Sequence, residues 1–222
     1  MKVNYHFHSG VSVETDKTLY IFDYYKKGMD TGIFESFENI YVFVSHNHGD
    51  HYDKSILNWM THRRNIKYIF SNDVPEIMSD SSITYIGPGE TKYLDDIEIL
   101  ALDSTDEGVA FFIKTPEGNI FHSGDLNWWH WEGEPAEYNL GMERKFKDEI
   151  NKLTYEKTDV AFIPVDRRLE GAMYFSIDYL MKALEVKCVC PIHFWDDWTF
   201  IEKVKHDLSD REYYNKIYFY GE

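Results

Sequence analysis

The stretch "YVFVSHNHGDHYDKS", residues 41–55, sets an apolar run against three histidines and an aspartate, His46, His48, Asp50 and His51, crowded within six positions. The run reads as a strand that delivers its end to a loop. Alternate residues of an extended backbone point the same way, so His46 and His48 can grip one metal ion together. Asp50 and His51 are adjacent and should diverge, which lets the same loop serve a second ion. Gly49 is expected to let the backbone turn tightly between them. The plainer reading, a polar loop with a surface cluster of histidines, fits the density and spacing less well.

A metal loop needs partners from elsewhere in the chain. "FHSGDL", with Asp125, and "PIHFWDDW", with His193, each follow an apolar β run and repeat the layout of strand then ligand. Histidine and carboxylate donors without thiolate suit zinc, with manganese or iron as alternatives. The two cysteines, Cys188 and Cys190, alternate within "KCVCPIH" as strand residues on one face and form no CxxC pair.

The first half of the chain reads as short β segments, "VNYHF", "VSVET", "TLYIFDY", "YVFVS", "KYIFS", "ITYIG", "IEILAL", "VAFFIKT" and "NIFHSG", with turns at "GPGE" and "PEG". A helix is expected from the N-cap Asp53 through Ile56, Leu57 and Met60, which share one face. Further on come a helix with Phe146, Ile150 and Leu153 on one side, a β run "DVAFIPV", a helical "SIDYLMKALE", the β run "KCVCPIHF", a helix from Thr199 to Leu208 and a terminal strand "KIYFY". Strands with interleaved helices imply a layered α/β arrangement, and the hairpins of the first half argue for mixed sheets.

The chain has 222 residues, which suits one domain spanning 1–222. Its formal net charge of -16 repels phosphate backbones and anionic membranes, so neither a nucleic acid nor a membrane partner is expected. Neither a signal peptide nor a bilayer-spanning stretch is expected from these residues, and no Gly-rich phosphate loop is apparent. The cytoplasm is the expected location and a small molecule the expected partner.

With "HNHGDH" standing as an HxHxDH motif, a strand-end Asp125 and a late His193, the sequence resembles the metallo-β-lactamase-fold hydrolases over essentially its whole length. The opening "FHSGVSVET" followed by "LYIFDYY" is similar to the branch that includes ascorbate 6-phosphate lactonase. The resemblance implies an αββα sandwich of two mixed sheets packed face to face, with helices outside and about two zinc ions at one edge. It also implies that Asp23 braces the metal loop and that His8 sits at the rim of the site. The family commonly supplies a further histidine between the motif loop and the aspartate. Here the stretch is "LALDSTDEGVAFFI", in which Asp103, Ser104, Thr105, Asp106 or water must stand in, with Asp106 preferred; a hairpin loop capped by Ser and Asp is the alternative.

Two metals imply hydrolysis, because a metal lowers the pKa of water from 15.7 to about 7. Asp125 would bridge the ions and Asp50 would hold the second ion and orient the attacking water. The tryptophans of "GDLNWWHWEGEP", Trp129 above all, could wall the pocket, with His130 as a donor. Arg167 and Arg168 could clamp an anion. Asp196 and Asp197 could accept an imidazole N–H, with a helix N-cap the more ordinary explanation. Specificity is expected to reside in loops 24–36, 125–140 and 166–176. The leading expectation is a hydrolase of a small ester, lactone or phosphoester. A mononuclear or non-catalytic metal-binding protein and a nuclease on the same scaffold are the alternatives.

Overall fold

The structure is a computed structural model that describes residues 1–25, 29–62, 65–76 and 80–220. Part of the first candidate specificity loop, residues 26–28, therefore lies outside the described residues.

Two six-stranded mixed sheets form the frame. The first runs in chain order: β1 (Lys2–Phe7), β2 (Gly10–Glu14), β3 (Thr18–Phe22), β4 (Asn39–Val44), β5 (Ile66–Ser71) and β6 (Ile83–Ile86). Its first three strands are antiparallel, and β3 to β6 are parallel. The second sheet runs β7 (Thr91–Leu94), β8 (Ile97–Asp103), β9 (Val109–Thr115), β10 (Gly118–His122), β11 (Lys157–Pro164) and β12 (Glu185–Ile192), antiparallel as far as β10 and parallel from there.

The period of two along each strand builds the layers. Val11, Val13, Tyr20, Phe22, Tyr41 and Phe43 join a core shared with Ile99, Phe111, Phe121 and Phe162 of the second sheet. Phe43 meets Phe111 edge-on at 5.2 Å, and Phe22 meets Phe162 at 6.2 Å. Burying each such side chain contributes roughly 1.5–3 kcal/mol. The alternate residues Leu19, Ile21, Ile40, Val42 and Val44 face a second core under Phe34, Ile56 and Trp59. Helices α2 (Ala136–Asn151), α3 (Phe175–Ala183) and α4 (Trp198–Leu208) press Phe146, Ile150, Leu180 and Val204 onto the first core. The expected αββα sandwich is the observed fold.

Three local expectations need correction. Asp53 does cap a helix, accepting from Ser55 N at 2.9 Å, but the segment is a 3-10 run, Lys54–Asn58, followed by a single α turn, α1 (Trp59–His62). The terminal "KIYFY" joins the sheet by one isolated bridge, Val189 to Ile217, and is not a strand. Strand β7, "TKYL", carries little apolar content and was not apparent in the sequence.

This topology gathers chain ends at one edge. The carboxyl ends of β3, β4, β8, β10, β11 and β12 and the β1–β2 turn lie at the same edge of the sandwich, where open α/β sheets place their ligands. Among the described residues, no helix is long and apolar enough to cross a membrane.

Candidate metal centre

The loop after β4 is held from behind by Asp23, at the end of β3. Its carboxylate accepts from Ser45 N and Ser45 Oγ at 2.7 Å each and lies 2.8 Å from His51 Nδ1. Ser45 Oγ in turn meets His46 Nδ1 at 2.9 Å. These contacts leave the Nε2 atoms of His46 and His51 aimed into the site. Gly108, at φ 69°, lets the β8–β9 loop approach so closely that a Cβ there would lie 2.0 Å from Ser45 O. Gly49 has no positive φ and open space around it, so the turn does not depend on it as expected.

Two groups of ligand atoms result. His46, His51 and Asp125 form one, and His8, His51 and His193 the other, the atoms of each group lying within 4.8 Å of one another. Asp125 Oδ2 is 3.6 Å from His46 Nε2, while Oδ1 is 3.3 Å from His51 Nε2 and 3.5 Å from His193 Nε2. His46 Nε2, His51 Nε2 and Asp125 Oδ1 are buried without a hydrogen-bond partner. Each unpaired buried group costs about 1–3 kcal/mol, so such a convergence is unfavourable without a cation to satisfy it. The residues present fit a divalent metal.

Electrostatics agree with the geometry. Burial, helped by His51, lowers His46 to about 4, and burial with His193 and His51 pushes His8 far below the usual histidine range. Both offer a lone pair at neutral pH. Burial opposes a charge on His51, but Asp125 and Asp23 outweigh it and raise His51 to about 9, a proton that a dication would displace. Burial would raise Asp125 and Asp23; the histidines around them override it, lowering Asp125 and bringing Asp23 to about 2.

The remaining expected residues divide. His8 is not at the rim: it is fully buried, its ring 4.0 Å from that of His193 and its Nε2 3.5 Å from Asp50 Oδ2. Adjacency does not part Asp50 from His51 as expected, because Asp50 faces His8, which shares a ligand group with His51. The His48 ring lies 4.7 Å from the His46 ring but is half exposed, with Nε2 3.1 Å from Glu107 Oε2, so the two histidines are not equivalent. Asp106 is raised by burial and then by Asp125, which places it beside the site, with Glu107 as a second carboxylate that the sequence reading missed. Asp166 was also missed as a histidine partner. It lies 2.9 Å from His193 Nδ1 and holds Arg168 through Nε and Nη2. Asp197 takes the helix-cap role, accepting from Phe200 N at 2.9 Å at the start of α4, while Asp166 faces His193 Nδ1.

Beside the metal groups is a small cavity of ≈ 130 Å³ lined by Thr105, Asp106, Trp129, Trp131, Tyr138 and Arg168. The Arg168 guanidinium lies 5.9 Å over Trp129 and 5.8 Å over Trp131, and these rings stack in parallel at 5.9 Å. Trp129 Nε1 donates to Asp125 O, fixing this wall to the ligand loop. His130 and Arg167 do not reach the cavity. His130 packs edge-on against Phe175, and Arg167 pairs with Asp197 at 2.6 Å, on a groove bounded by α4. His122 is a packing residue, stacked on Phe22 at 4.9 Å with Nε2 on Ser9 O at 2.9 Å.

No family model matches the sequence, and no curated protein matches it. Solved structures do. Igni18 from Ignicoccus hospitalis KIN4/I, described as a novel metallo hydrolase, is 21% identical with a TM-score of 0.60, over 92% of this chain and 90% of that one. CmlA from Streptomyces venezuelae, a diiron β-hydroxylase, is 14% identical with a TM-score of 0.57, over 94% of this chain and 51% of that one, so this chain spans about half its length. YhfI from Bacillus subtilis, a metallo-β-lactamase fold protein, is 11% identical with a TM-score of 0.55, over 90% of this chain and 85% of that one. Two face-to-face mixed sheets and the likeness to these structures give this chain the metallo-β-lactamase fold.

Proposed function

We propose that the protein is a metal-dependent hydrolase of a small anionic ester, lactone or phosphoester. The observation that carries this reading is the set of buried, unpartnered ligand atoms of His46, His51 and Asp125 at the meeting of both sheets. The description of Igni18 as a metallo hydrolase supports it by analogy of fold. The histidine and carboxylate donors favour zinc. Iron is the second choice, because CmlA is a diiron protein.

When bound, the ions supply Lewis acidity and a nucleophilic water near neutral pH. The chain supplies the rest. Asp125 presents one oxygen to each ligand group, so it is placed to bridge them. Asp50, intermediate in exposure and beside His8, holds the open side where water would be oriented. Trp129 and Trp131 exclude solvent from one wall. Asp166 occupies Nε and Nη2 of Arg168, which leaves Nη1 for an anionic group of the substrate. The charge of -16 makes a nuclease the weaker alternative.

A mononuclear, non-catalytic reading is favoured by one observation, the half-exposed His48 paired with Glu107 outside either ligand group. Elemental analysis of protein purified without a chelating tag, followed by a panel of lactones, esters and phosphodiesters, separates the two. About two ions per chain and turnover abolished by chelation are expected. One ion without turnover would establish the second reading, and no ion would end both.

A further inference from the structure

We infer that His8 is itself a metal ligand, giving the group of His8, His51 and His193 three imidazoles and making it the site that fills first. The inference rests on the reading that the centre holds metal, and it extends the ligand set to a residue far outside the motif loop.

His8 occupies the turn between β1 and β2, and its backbone is fixed on both sides. Its N–H donates to Tyr5 Oη at 2.7 Å, and its carbonyl accepts from His193 N at 2.9 Å. The residue has φ 54°, a conformation that costs a non-glycine residue about 1–3 kcal/mol. Its side chain is fully buried, yet neither Nδ1 nor Nε2 has a hydrogen-bond partner. The ring lies between Trp195, 3.7 Å away by centroids, and His193, 4.0 Å away. Packing alone would be better served there by an apolar ring, which carries no polar atoms to strand.

A cation accounts for both penalties, and the spacing fits one. The ligand atoms of His8, His51 and His193 all lie within 4.8 Å of one another, and each ring also faces a carboxylate, His8 Nε2 at 3.5 Å from Asp50 Oδ2 and His51 and His193 Nε2 at 3.3 and 3.5 Å from Asp125 Oδ1. Donors at 2.0–2.1 Å from a zinc ion in a tetrahedral arrangement are about 3.3–3.4 Å apart. His51 and His193 are each oriented by a carboxylate behind the ring, Asp23 and Asp166, as metal-bound imidazoles usually are. Once His51 is counted with His8 and His193, the other group keeps His46 and Asp125, with His48 turned to Glu107 outside it and no imidazole from the β8–β9 loop. His8 thus enriches its own group while the His46 group lacks a histidine.

The test compares the chelated protein with His8→Asn, which tolerates positive φ, in cobalt titrations against a chromophoric chelator, with thermal melting of both metal-free forms. The expected result is two ions of unequal affinity in the unmodified protein. In the variant, the tighter is weakened about 100-fold or more and the weaker is changed by less than about threefold; outer-shell changes alone already cost 10–100-fold. Metal-free His8→Asn should melt within about 5 °C of metal-free unmodified protein, which separates a loss of affinity from a loss of fold. Retained tight binding in the variant would overturn the inference while leaving the proposed function standing. Absence of any metal uptake by the unmodified protein would overturn both. Should the variant fail to fold, one equivalent of cobalt in the unmodified protein decides: paramagnetically shifted ring protons from three histidines support the inference, and from two refute it.

Discussion

Asp23 Oδ2 lies 2.8 Å from His51 Nδ1, with both side chains fully buried, so a carboxylate at the end of β3 sets the direction of an imidazole on the loop after β4. Asp23→Asn keeps the volume and removes the charge. Metal affinity should fall about 10–100-fold, read by competition with a chelating dye. Unchanged affinity would mean that Ser45 and packing alone orient His51.

The metal-free protein should be most stable near pH 6.5. His51, raised to about 9, gives stability that is complete below its unfolded value near 6.5 and lost as pH climbs to 9, at a slope of about 1.4 kcal/mol per pH unit. His6 and His46, each lowered to about 4, and His8 and His122, also lowered chiefly by burial, act oppositely. Below pH 6.5 the unfolded chain takes up protons that these folded residues refuse, so stability falls on acidification, more steeply than on the alkaline side. Urea midpoints of chelated protein at about pH 5, 6.5 and 8.5 check this, and a maximum at the highest pH would contradict it.

Arg168→Ala should raise KM about tenfold for substrates that carry a carboxylate or phosphate beside the scissile bond, and leave neutral analogues nearly unaffected. The guanidinium is half exposed, which keeps the expected effect modest. Equal losses on charged and neutral substrates would assign Arg168 to bracing Asp166 instead.

Gly108→Ala should destabilise the fold by about 2 kcal/mol or more, since the Cβ would meet Ser45 O at 2.0 Å in a backbone held at φ 69°. Gly49→Ala, with nothing within 4 Å of its Cβ position, should be neutral or stabilising by up to about 1 kcal/mol. Melting temperatures of the two variants give the comparison, and similar losses would contradict the geometry.

What could be read from the sequence follows how local each cause is. His46, His48, Asp50 and His51 are legible because one loop carries them all. Asp53 is legible as a cap because its acceptor contact lies two residues away, whereas the 3-10 geometry that follows depends on packing under Phe34 and Trp59. His8 stands in a quoted stretch, but its depth in the site comes from the turn that sets it against His193 and Trp195. Asp166 is not legible as a partner of His193, since the parallel pairing of β11 with β12 that carries it there is not written in either segment. "KIYFY" has a strand's alternation but meets the sheet at only one bridge.

The hydrogen bond from His193 N to His8 O joins the β1–β2 turn to the end of β12. During synthesis, then, His8 waits for a partner that emerges only after both sheets have left the ribosome. Nascent chains that stop short of β12 lack His193, so the three-imidazole group cannot form until the sandwich is complete.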